Sequence, residues 1–144
     1  RYLLELAGND RPPADRLNIN RTLTALLNDL LGLRLTDAFC GYKAHKVSSL
    51  QWLTLTETGY GFPMQFWVQA ARARFKMREL PVPLIYNDPA RHFGGPLDDP
   101  QVRLRHYCDV LNRELVAPAQ QPWQMMRLVH DAADAMPAQF ALSR

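Results

Sequence analysis

Cysteine is scarce, with two in 144 residues and no C-x-x-C pair. Cys40 and Cys108 lie far apart, so a disulfide scaffold is excluded and two free thiols or one bridge remain. The four histidines, His45, His92, His106 and His130, lack metal-ligand spacing, which argues against a zinc site. No apolar run reaches the roughly 18 to 20 residues that a membrane-spanning helix needs. Charge of one sign is also in short supply. Seventeen Lys and Arg stand against fourteen Asp and Glu, a formal net charge of +3. That bias suits an anionic ligand or an anionic membrane surface and is too small to argue for nucleic acid. No internal repeat or low-complexity run is present. No signal-peptide pattern opens the chain. It starts on Arg1-Tyr2-Leu3, an element already under way, so a piece of a longer protein is expected.

What is present is ordinary for one globular domain, with 47% hydrophobic and 22% charged residues. Residues 1–6 leave strand and helix open, and a loop runs from Gly8 to Arg16, marked by Pro12-Pro13. Asn18 then stands as an N-cap for a helix whose apolar face is Ile19, Leu23, Leu26, Leu27 and Leu30, stopped by Gly32. Ser48 and Gln51 have capping-box spacing for a short helix to about Leu55. Pro63 fits the first position of a helix that carries Phe66, Trp67, Ala70 and Ala71 through Arg74. From Met77 to Tyr86 the period becomes two, which predicts a strand, and Pro81 and Pro83 favour a sheet edge. A long loop follows from Asn87, until Asp99 and Pro100 cap and start a helix with the stripe Leu104, Tyr107, Cys108, Leu111 and Leu115. Arg103, Arg105 and Arg113 are left there for solvent or a ligand. A linker from Ala117 to Pro122 leads to a last helix over Trp123 to Met136, which packs on the body or a neighbouring chain, with an interfacial membrane helix as the alternative.

The chemistry concentrates in Thr36-Asp37-Ala38-Phe39-Cys40-Gly41-Tyr42-Lys43. A bend at Gly41, where no Cβ obstructs tight geometry, would hold Asp37 and Lys43 together at a sheet edge. Arg91-His92-Phe93-Gly94-Gly95 sets an arginine beside two flexible residues, a pattern suited to phosphate capture through bidentate guanidinium bonds. Other candidates read as structure. Asp99 is an N-cap beside a solvated Asp98, Asp131 and Asp134 share a helix face that solvation explains as well as a metal does, and Ser48 and Ser49 have no His and Asp partners placed by sequence. Gly59-Tyr60-Gly61-Phe62 lacks both GxGxxG and a Walker lysine.

Thr36 through Ala44 resembles the D-x-x-S/C-G-F/Y-K/R segment of family 2 glycosyltransferases, in the polyprenol-phosphate (dolichol-phosphate) mannosyltransferase-like branch. Three further blocks follow in that family's order. Gly59-Tyr60-Gly61-Phe62 and its helix resemble G-Y-x-F-x-x-E, Glu79-Leu80-Pro81-Val82-Pro83-Leu84 resembles E-V-P-I/V, and Arg91-His92-Phe93-Gly94 resembles R-x-x-G. Arg1-Tyr2 is similar to the tail of its G-S-R-Y strand. The resemblance covers residues 1–96 and implies an α/β, GT-A-like fold that is partial here, mostly helical with one or two short strands and without the nucleotide-binding half. It implies that residues 1–116 are the acceptor side of the domain and 117–144 a linker and helix.

The same resemblance assigns roles. Asp37 would stand near a divalent metal (Mg or Mn) and the sugar phosphates. Lys43 and Arg91 would meet the diphosphate or an anionic acceptor, and the helix of Gln65 would wall the acceptor site. Two departures qualify it. Gln65 replaces the family's acid and cannot act as a general base. Pro96-Leu97 stands near where Ser-Lys would follow. The metal-binding D-x-D is absent from the sequence, so nucleotide sugar, metal and transfer are expected only with a missing half. An acceptor-side piece is expected to self-associate, to be cytoplasmic and to touch the inner membrane face peripherally. The alternative is a small helical interaction module whose Arg72, Arg74, Arg103 and Arg105 form a basic face for a protein or membrane partner.

Overall fold

A computed structural model describes residues 12–85 and 92–118. Arg1-Tyr2, Arg91 and the helix expected over Trp123 to Met136 lie outside the described residues. The described part is mostly helical. Helix α1 spans Ala14–Leu31, α2 Val47–Leu50, α3 Phe62–Arg72 and α4 Pro100–Val116, with a 3-10 turn at Gly95–Asp98 before α4. Helix α3 packs against α4, and α1 touches both. Leu23 and Leu27 of α1, Met64 and Val68 of α3 and Leu111 of α4 meet as fully buried side chains. Each contributes about 1.5–3 kcal/mol by leaving water.

Helix α1 begins four residues before the expected cap, because Pro13 itself leads the first turn and its carbonyl accepts the Leu17 N–H at 3.0 Å. Gly32 ends it in the left-handed region at φ 64°, where a side chain would be strained. The buried face is rotated from the expected stripe. Asn20 and Thr24 are interior, whereas Leu30 is 51% exposed. The reason is polar pairing with the segment after the helix, described below. Helix α2 has no side-chain cap. Lys46 stands at its N-cap position, and the Ser49 hydroxyl donates to the Lys46 carbonyl, so the Ser48–Gln51 capping box does not form.

No strand forms among the described residues, which corrects the expectation over Met77 to Ile85, the last residue of the expected strand lying outside the described residues. Pro81 and Pro83 remove two donors, and a ladder needs a partner strand that the described residues do not supply. The segment is held by a side chain instead: Glu79 accepts the Thr36 N–H at 3.0 Å on each carboxylate oxygen and the Asp37 N–H at 3.3 Å. Asp99 caps α4 as expected, accepting from the backbone N–H of Gln101 at 2.8 Å and of Val102 at 2.9 Å.

Candidate functional site

The loop after α1 is built on buried polar groups. Asp37 is 4% exposed, and its Oδ1 accepts from Asn20 Nδ2 at 2.7 Å and from the Phe39 N–H at 2.9 Å. Thr24 donates to Asn20 Oδ1 at 3.0 Å and accepts the Ala38 N–H at 3.1 Å. Trp67 of α3 donates to the Ala38 carbonyl at 2.8 Å. Asn28 brackets Leu35 in the same way, accepting its N–H and donating to its carbonyl. Buried polar atoms are expensive unless paired, so this network fixes the loop against α1 and α3. Gly41 plays no such part. It has no positive φ, and an added Cβ would meet nothing within 4 Å. The bend is made by the Asp37 carboxylate closing on Phe39, not by glycine geometry.

This loop forms one wall of a 510 Å³ cavity. Phe66, Trp67 and Ala70 of α3 form another, and Glu79, Leu80 and Val82 a third. Asp37 and Lys43 both line it. Lys43 donates to the Cys40 carbonyl and lies 5.5 Å from the Trp67 ring centroid, a cation–π distance. Lys46, Lys76 and Arg78 add three more cations against the carboxylates of Asp37 and Glu79, so the lining carries net positive charge.

Gln65 is not among the cavity-lining residues. Its Oε1 accepts the Thr56 and Glu57 N–H groups, both at 2.8 Å, and its Nε2 donates to Thr56 Oγ1 and to Glu114 of α4. Gln69, one turn on, pairs with the Thr54 N–H and carbonyl and reaches the other Glu114 oxygen at 3.1 Å. The two amides hold residues 54–57 to the helix as a neighbouring strand would.

Phe93, from the Arg-His-Phe-Gly block, lies 4.3 Å from the Arg103 guanidinium and 5.0 Å from that of Arg16, and meets the Tyr60 ring edge-on at 4.9 Å. Arg103 corrects the expectation of a solvent-facing cation. It is 2% exposed, pairs with Asp15, and donates to the carbonyls of Leu97 and Asp98. Arg72 donates to the Leu115 and Ala117 carbonyls, where it caps the end of α4. Two of the four arginines of the expected basic face are thus spent on internal contacts. Asp98 accepts from the Phe93 and Gly94 N–H groups, and the Gly94 bond foremost holds its carboxyl below the ordinary value. Burial pushes the Tyr107 phenol up to about 12, against a partial opposing pull from Arg103. Burial also raises the Cys108 thiol, with Asp109 adding to it.

The described residues gather no group of three His, Cys, Asp or Glu able to hold a metal. Asp37 Oδ1 and both Glu79 oxygens accept N–H donors. No family model, curated protein or solved structure matches the chain. Sequence reasoning passed over Asn20, Thr24, Gln69 and Glu114, whose partners lie far along the chain.

Proposed function

We propose that the chain is the acceptor side of a family 2-like glycosyltransferase, which moves a sugar from a nucleotide-sugar donor to an acceptor, with a lipid phosphate as one candidate. One observation carries the reading. Three blocks separated in sequence, the Asp37–Lys43 loop, the helix after Gly59-Tyr60-Gly61-Phe62, and Glu79-Leu80-Pro81-Val82, converge on one cavity. The fourth block touches the second through Phe93 and Tyr60. The cavity has a cationic edge and an aromatic wall, which suits an acceptor with an anionic head and an apolar body. Lys43 would neutralise the acceptor's charge over Trp67, and Asp37, buried and locked by Asn20, would hold the loop that positions Lys43. The donor and its metal would be held by D-x-D acids that this sequence does not contain.

The test is a solution titration of the chain with a short-chain isoprenyl phosphate, followed on the Trp67 indole N–H resonance. A saturable shift, weakened in Lys43→Ala, is the expected result. Added nucleotide sugars and Mn²⁺ should give no transfer. An unmoved Trp67 signal, or sugar transfer by the chain alone, overturns the reading.

A further inference from the structure

The rim of the cavity, together with the adjoining helix α2, has a composition that internal packing does not explain. Tyr42 is 85% exposed, Val47 82% and Leu80 73%. Lys46, Lys76 and Arg78 are exposed beside them, while of the two cavity carboxylates Asp37 is buried and Glu79 is half-buried, both accepting backbone N–H groups. Large apolar side chains interleaved with cations, with no fully exposed acid among the described residues that line the cavity, match the two components of an anionic bilayer surface. Lipid phosphates meet the ammonium and guanidinium groups, and the aromatic and aliphatic groups enter the headgroup boundary.

We infer that this rim docks on an anionic lipid surface, with Tyr42, Val47 and Leu80 inserted and Lys46, Lys76 and Arg78 on the lipid phosphates. The occupant is fixed by charge complementarity: an acidic peptide would use the cations and leave three apolar side chains in water. The inference does not depend on sugar transfer. A soluble isoprenyl phosphate tests the cavity, and vesicles test its rim.

The experiment is vesicle flotation of the whole chain, with phosphatidylcholine vesicles that do or do not contain phosphatidylglycerol. The chain should float with the anionic vesicles and stay in solution with the neutral ones. The triple variant Lys46→Glu, Lys76→Glu, Arg78→Glu should lose at least about tenfold in binding, since each cation near such a surface contributes severalfold. A matched variant, Arg21→Glu, Arg34→Glu, Arg105→Glu, changes net charge equally at residues that do not line the cavity and should bind nearly as the parent does. Tyr42→Ser with Val47→Ser should make the remaining binding vanish at high salt, where charge attraction is screened. Circular dichroism of each variant checks that the helices are retained. Flotation with neutral vesicles, equal loss in both triple variants, or binding of poly-glutamate without binding of vesicles overturns the inference.

Discussion

Gly61 sits where the start of α3 meets α4, and its missing Cβ is what lets them meet. An alanine there would place its methyl 2.6 Å from Val110 Cγ2, 3.2 Å from His106 Nε2 and 3.3 Å from Glu57 Cδ. Gly61→Ala should therefore destabilise by about 1–3 kcal/mol, the usual penalty for an overpacked contact. Thermal unfolding reads this directly, at about 2–4 °C per kcal/mol for a domain near this size. Gly59→Ala meets only the flexible end of Glu57 and should leave the midpoint nearly unchanged. The two glycines look alike in sequence, and only the neighbour from α4 separates them. Gln65 gives a second residue-scale test. Its amide donates to Glu114, so Gln65→Glu would set a buried carboxylate against the half-buried one of Glu114. Repulsion raises the pKa of such a pair above the unfolded value. The variant should thus be close to the parent in acid and lose stability as pH rises through the carboxylate range. Glu114→Gln in the same chain should restore it, and an additive double-mutant cycle would refute the pairing.

At the scale of elements, helix ends were legible and helix faces were not. Gly32 and the Asp99-Pro100 start could be read because capping is local chemistry, confined to a few adjacent residues. The interior positions of Asn20 and Thr24 in α1 could not be, because their partners lie in the loop at Asp37 and Ala38. A periodic count treats such residues as surface. The end of α3 differs from its expected extent for a local reason. The helix closes at Arg72, and Arg74 takes φ 54° while Phe75 N–H bonds back to the Ala70 carbonyl at 3.0 Å. A side chain in that left-handed position is strained by about 1–2 kcal/mol. Arg74→Gly should raise the melting temperature, since glycine removes the strain and gives back only part of it as chain entropy. A lower midpoint would show that the Arg74 side chain itself stabilises the turn. The 92–98 loop has its own test. The Asp98 carboxyl is held below its ordinary 3.8, chiefly by the Gly94 N–H. Its contribution is present above the unfolded carboxylate pKa and is lost as pH falls through the folded value. Amide resonances of Phe93 and Gly94 should report one midpoint below 3.8, and a midpoint at or above it would remove the clasp.

Across the whole molecule, the helical frame followed from sequence and the strand did not, and the difference is one of partners. A helix satisfies its own backbone, so the helical pattern in α1, α3 and α4 is enough to form it. The alternation over Met77 to Tyr86 describes a segment ready to pair, and the described residues give it Glu79 contacts instead of a ladder. The candidate site was legible to the same extent. Its blocks could be found one by one, but their meeting in a cavity and the withdrawal of Gln65 from it depend on packing. The exposed apolar side chains bear on association. Ile85 is 69% exposed and Val116, at the end of α4, is 83% exposed. Apolar side chains left so far in water drive burial against another surface. A second copy carries the same side chains and can supply that surface, which makes a reversible oligomer the expected state at micromolar concentration. Light scattering across a dilution series measures it. The mass should fall toward that of one chain on dilution, and Ile85→Ser with Val116→Ser should shift the transition to higher concentration. These two residues are separate from Tyr42, Val47 and Leu80, so the same variant should still float with anionic vesicles. A mass of one chain throughout the micromolar range would show that these side chains do not bind a second copy.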